Sequence, residues 1–360
     1  MNYGLPLPTK IELSVYKIKS CGLYKSWNKP PLALGIKELL EQLKRWGIDS
    51  QKPLIETSTY TPSNDLDASY LWGFEFDNTT GNYLIGFWNE IENIKGSVSY
   101  VAGSKPVGNG EVTGVNAKKG DIPGFLSLFW FIPSKNIFVG IKTDEHVNTG
   151  INQLRTYLSS FGTGFSEQVI RTDPDNGEHT AFTEQKKDFL ATKDERVPNS
   201  QLKASFRFPP LHINGEINFI KSHALQVTKL IRKVKVRTNQ SRSLIDDVLE
   251  GIDFLFHSAP PTDKRFIKVE YPTSISPADV DIMFKDYKDN NMSESYDVTF
   301  VFSGNDIPNK SLSGARAVEK LSRFNMYYKS KDTPDLTKLL RELNTNFIAS
   351  IEKLLKKANG

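Results

Sequence analysis

The residues best placed to do chemistry are seven cations in a short stretch that holds no acid. Between Ile217 and Ile245 stand Lys221, Lys229, Arg232, Lys233, Lys235, Arg237 and Arg242, with no Asp or Glu among them. Side chains of this type neutralise phosphate oxygens, and the Ser, Asn and Gln residues around Arg242 add neutral donors for the same oxygens. No aromatic residue interleaves these charges, so the segment suits backbone contact with a duplex rather than stacking on unpaired bases. The following stretch offers a rival chemistry. Asp246, Asp247, Glu250 and Asp253 form a carboxylate cluster of the kind that holds a divalent cation in a nuclease. The strand after it, Phe266-Ile267-Lys268-Val269-Glu270, carries its lysine and glutamate in the wrong order for a nuclease partner, which favours a solvated acidic face.

Other catalytic signals are missing. The five histidines, at 146, 179, 212, 223 and 257, have no cysteine or second histidine at metal-ligand spacing. Gly108, Gly110 and Gly114 fit neither the dinucleotide fingerprint nor the phosphate loop. There is no Gly-x-Ser-x-Gly elbow, and Cys21 has no histidine nearby in the sequence. No metal or cofactor is therefore expected, and the chain reads as a binder rather than an enzyme.

Composition sets the frame. The 360 residues carry a net charge of only +4, yet the sum hides segregation. From Asp246 to Asn309 thirteen carboxylates face five basic side chains, and from Lys310 onward eleven cations face five acids. Blocks of this kind build strong local fields and suit a polyanion partner. A lone cysteine excludes an intramolecular disulfide and fits a reducing cytoplasm. No secretory leader is read at the start. The longest apolar run, Phe125 to Ile132, is far shorter than the roughly 20 residues that span a bilayer.

The elements that position these residues predict an α+β chain of two domains, each a mixed or antiparallel sheet packed with helices. Leu126 to Ile132 and Ile137 to Ile141 flank a Pro-Ser-Lys-Asn turn and predict a hairpin. A helix capped by Thr143 or Asp144 should follow, with Val147, Ile151, Leu154 and Leu158 on its apolar face. Strands are expected over Ile11 to Ile18, Tyr70 to Phe76 and Tyr83 to Trp88, with a helix through Leu39, Leu40 and Leu43. These make an N-terminal domain over 1–165. Residues 166–204 read as a polar linker or hinge with a short helix from Glu184 to Leu190.

The second domain, 205–360, should open with strands at Ser205 to Phe208 and Ile213 to Phe219. A helix over Ser222 to Lys233 would place Lys229, Arg232 and Lys233 on one side. A further helix from Ser243, a strand at Ile252 to Phe256 and another at Phe266 to Tyr271 are expected next. Ser276-Pro277-Ala278-Asp279 starts a helix in the preferred way. A long terminal helix carries Leu336, Leu339, Leu340, Leu343, Phe347, Ile351, Leu354 and Leu355 in one stripe, to cap its own domain or pair with a second copy.

In order and texture the chain resembles the RexA-type phage-exclusion proteins and, more distantly, the KwaB component of Kiwa defence. The likeness rests on Tyr83-Leu84-Ile85-Gly86-Phe87-Trp88 and Ile122-Pro123-Gly124-Phe125-Leu126, then the strand pair to Ile141 and Asn152-Gln153-Leu154-Arg155-Thr156-Tyr157-Leu158. It resumes with Asp246-Asp247-Val248-Leu249-Glu250-Gly251-Ile252-Asp253 and the terminal helix. This chain is longer through Arg171 to Lys203. The resemblance implies a dimeric, cytoplasmic, non-enzymatic protein that binds double-stranded DNA with little sequence preference. It would trigger abortive infection beside a membrane-protein partner. It carries over no catalytic residue. The alternatives are a metal-dependent nuclease built on the Asp246 to Asp253 carboxylates, and an oligomeric adaptor that binds no nucleic acid.

Overall fold

In the computed structural model the chain is α+β. The structure describes residues 7–63, 66–91, 99–114, 118–143, 150–172, 179–187, 196–236, 265–289, 297–303, 307, 309–330 and 332–359. It divides into two units: Met1–Leu211 with Ala317–Lys356, and His212–Arg316 with Lys357–Gly360.

Up to residue 211 the strands are β1 (Leu7–Lys17), β2 (Ser20–Tyr24), β3 (Ser69–Asp77), β4 (Asn82–Glu90), β5 (Ser99–Ala102), β6 (Val112–Thr113), β7 (Asp121–Ile132), β8 (Ile137–Thr143), β9 (Val169–Thr172), β10 (His179–Phe182) and β11 (Lys203–Arg207). The helices are α1 (Ile36–Lys44) and α2 (Ile151–Gly164). Beyond them come α3 (Asn214–Ser222), β12 (Val227–Val236), β13 (Arg265–Pro272), α4 (Pro277–Asp289), β14 (Val298–Phe302), β15 (Lys310–Ser311) and β16 (Val318–Met326). Last are α5 (Leu336–Glu342), a π-helical turn at Leu343–Phe347, and α6 (Ile348–Asn359).

The first unit is built on an antiparallel sheet ordered β16-β1-β8-β7-β4-β3, with β5 and β6 attached beside β7. Alternation along β4 and β7 sends Tyr83, Ile85, Phe87, Phe129 and Phe131 to one face, against Leu39, Leu40 and Leu43 of α1 and Leu154, Tyr157, Leu158 and Phe161 of α2. The opposite face meets the terminal helix. Leu336 lies over Gly73, where a Cβ would approach its Cδ1 to 2.9 Å. Rings of Phe324 and Phe347 stand 5.2 Å apart. Strands covered on both faces read as unbroken apolar runs, which is why Leu126 to Ile132 shows no alternation. Each large side chain buried there contributes about 1.5–3 kcal/mol.

The terminal helix therefore caps its own sheet. Its π-turn carries Asn344, whose Oδ1 accepts from Asn82 Nδ2 at 2.8 Å and Trp130 Nε1 at 3.1 Å. Its Nδ2 donates to Asp77 Oδ2 at 2.7 Å and Thr80 Oγ1 at 3.0 Å.

The expected boundaries at 165 and 205 are not where the units divide. Val169, Ile170 and Leu202 are buried, and the Arg196 guanidinium donates to the Val169 carbonyl at 2.8 Å, so the described parts of 166–204 dock as structure. Glu184–Lys187 is not helical. β11 pairs with β2 rather than entering a second domain. The described part of α2 begins at Ile151 after Gly150, which adopts φ 67°; Asp144 and Val147 lie outside the described residues.

The second unit holds the sheet β13-β12-β14-β15, antiparallel throughout. One face packs on α3 and α4 through Ile217, Ile220, Val280, Tyr287 and Phe300. The α4 start forms as expected: the Asp279 carboxylate accepts from Ser276 N–H and Ser276 Oγ, each at 2.8 Å. Two expectations are overturned. Ile213 to Phe219 is largely the helix α3, and most of Ser222 to Lys233 is the strand β12. Leu225, Thr228 and Ile231 fit helical spacing, but Thr228, Ile231, Val234 and Val236 are β-branched, and pairing to β13 and β14 decides for strand. The segments expected to form a helix from Ser243 and a strand at Ile252 lie outside the described residues.

Candidate nucleic-acid interface

Because the basic segment is a strand, its cations separate by period two instead of gathering on a helix side. Leu230 pairs with the buried Phe300, so even-numbered positions near it face α3 and α4. Arg232 follows that side. It is half-buried and lines a cavity of about 170 Å³ with Leu230, Tyr271, Met283, Asp286 and Val298. The expected grouping of Lys229, Arg232 and Lys233 does not form.

Odd-numbered positions take the other side. Lys229 Nζ lies 2.8 Å from Glu270 Oε2, with both side chains about two-fifths exposed. In the register Lys233 stands opposite Lys268, and Lys235 opposite Phe266. The side chains of residues 233–236 and 265–268 lie outside the described set.

Lys221 sits in the last turn of α3, where a cation suits the helix dipole, and its Nζ is 2.8 Å from Asp281 Oδ2 on α4. Arg237 and Arg242 lie outside the described residues, as do Asp246, Asp247, Glu250, Asp253 and His257. Of the seven predicted contacts, Lys229 and Arg232 thus fall on opposite sides of the sheet, and Lys233 and Lys235 are placed by backbone register alone. Among the described residues no group of three or more His, Cys, Asp or Glu could hold a metal ion. Cys21 is buried, and desolvation pushes its thiol far above the ordinary range, which makes it a poor nucleophile.

Sequence reasoning missed a second cationic surface in the first unit, because the strands that form it pair across a large separation. Ser20 Oγ meets Ser205 Oγ at a separation of 185 residues. The alternation of Lys203, Ser205 and Arg207 is the local signal that marks its outer side.

No described helix is long and apolar enough to cross a membrane. Compared with family models, with curated proteins and with solved structures, the chain matches none.

Proposed function

We propose that the protein binds double-stranded DNA through its phosphate backbone, with little sequence preference, and serves as the trigger of a phage-exclusion response. The observation that carries the binding is the register of β12 on β13, which pairs Lys233 with Lys268 along a strand that also carries Lys229 and Lys235. Lysines paired in register across two strands are better accommodated against a phosphate chain than alone. Segregation of charge along the sequence supports the same reading. The defence role, the cytoplasmic setting, a second copy of the chain and a membrane-protein companion are supported by the resemblance to RexA-type proteins. In this reading the protein binds without cleaving.

Fluorescence anisotropy on a mixed-sequence duplex between 50 and 200 mM salt tests it. Binding should weaken steeply with salt, and the double substitution Lys233→Glu, Lys268→Glu should flatten the slope by about two units, roughly 0.9 per lost phosphate contact. Absence of binding at low salt, or a slope indifferent to the pair, overturns the reading. Duplex cut in the presence of magnesium or manganese would favour the nuclease alternative.

A further inference from the structure

The ribbon of β2 and β11 presents two unlike faces. Inward, Cys21, Leu23, Ala204 and Phe206 pack into the core of the first unit. On the other side the register places the half-buried Ser20 opposite Arg207 and Tyr24, which is only 7% exposed, opposite Lys203, with the half-buried Ser205 between the two cations. Lys203 and Arg207 are exposed, and the Ser20 and Ser205 hydroxyls stand 2.7 Å apart between them. At one end the Lys19 N–H donates to the Arg207 carbonyl at 2.9 Å, which brings the exposed Lys19 and Lys17 alongside. Among the described residues, Lys17, Lys19, Lys203 and Arg207 make no ion pair.

At the other end the chain turns through Lys25 to Pro30. Lys25 is held by Glu184 at 2.9 Å. Trp27 rests its ring 5.7 Å from that of Tyr24 and is 60% exposed, whereas Trp72, Trp88 and Trp130 are 5%, 0% and 0% exposed. An indole left in water beside a row of exposed cations and hydroxyls is the combination that holds an unpaired nucleic-acid strand. The cations and hydroxyls take phosphates, and the ring takes a base face. Lys203 to Arg207 spans about 13 Å of extended backbone, enough to follow a strand rather than grip one ion. A duplex keeps its bases stacked on each other and has no use for Trp27.

We propose that the outer face of β2 and β11, with Trp27 at its end, binds single-stranded nucleic acid. This surface shares no residue with the β12–β13 pair and does not rest on the duplex reading. The test uses the full chain and a fluorescein-labelled oligothymidylate, read by anisotropy. Trp27→Ala removes only an exposed side chain and should weaken binding roughly tenfold, the scale of one base stack. Lys203→Glu with Arg207→Glu should weaken it further and lower its salt dependence, while Lys233→Glu with Lys268→Glu should leave it within about twofold. Circular dichroism melting of each variant confirms that the fold is kept. Oligothymidylate affinity unchanged by Trp27→Ala and by the ribbon pair overturns the proposal. So does an equal effect of Trp27→Ala on mixed duplex or polyglutamate, which would make the face a general anion surface.

Discussion

Replacing Asn344 with leucine tests whether the polar clasp in the terminal helix holds the first unit together. Its side chain makes four hydrogen bonds, to Asn82, Trp130, Asp77 and Thr80. Asp77 and Thr80 lie toward solvent and recover water when the amide is lost. Trp130 is 0% exposed and Asn82 4%, so the indole N–H and the Asn82 amide lose a partner in the interior. A buried donor left unmade costs about 1–3 kcal/mol, so the two together predict a loss of roughly 2–6 kcal/mol. For a unit of this size that corresponds to a fall in Tm of about 6–12 °C, taking ~2–4 °C per kcal/mol around a loss near 3 kcal/mol. The assay is urea unfolding followed by tryptophan emission. All five tryptophans fall in the first unit, so the signal reports that unit alone. A loss below about 1 kcal/mol would refute the reasoning and show that the helix is held by its leucines.

Asp77 gives the same clasp a pH dependence. Desolvation raises its carboxyl, but hydrogen bonds from the Thr79 N–H, the Thr80 hydroxyl and Asn344 outweigh it and leave the group below its ordinary value of 3.8. A depressed carboxyl contributes stability in full above the unfolded value and loses it as pH falls through the folded one. The urea midpoint should therefore drop below about pH 3.8, and Asp77→Asn should flatten that drop. Gly124→Ala should destabilise the first unit by about 1–3 kcal/mol, because its methyl would collide with the Asn89 carbonyl and the Trp88 indole nitrogen, and main chain cannot yield as a side chain does. A neutral urea midpoint for that variant would show that the β4–β7 pair can part.

Local chemistry explains which elements could be read in advance. The β7–β8 hairpin and the Ser276–Asp279 helix start are specified by neighbours in sequence: apolar runs, turn residues and a cap. β12 carries a three-residue apolar spacing that satisfies a helix, while the strands that claim it, β13 and β14, lie 29 to 75 positions downstream in register. The same cause moved the cations. A helix would have gathered Lys229, Arg232 and Lys233, and a strand sends Arg232 toward Asp286. Docking of Lys203–Arg207 onto Ser20–Tyr24 leaves no trace in either segment, so the ribbon surface with Trp27 was hidden although each part was visible.

Strand β16 pairs with β1 over Leu7 to Ser14, and the terminal helix covers the sheet behind it, yet both follow the entire second unit in the chain. During synthesis β1 must wait with one hydrogen-bonding edge bare until more than 300 further residues have been added. A waiting edge of this kind is where neighbouring chains pair by mistake. The polar Lys10, Glu12 and Ser14 that interrupt β1 are therefore well suited to guard it, and a chain cut short before Ala317 would leave the ribosome with that edge permanently open.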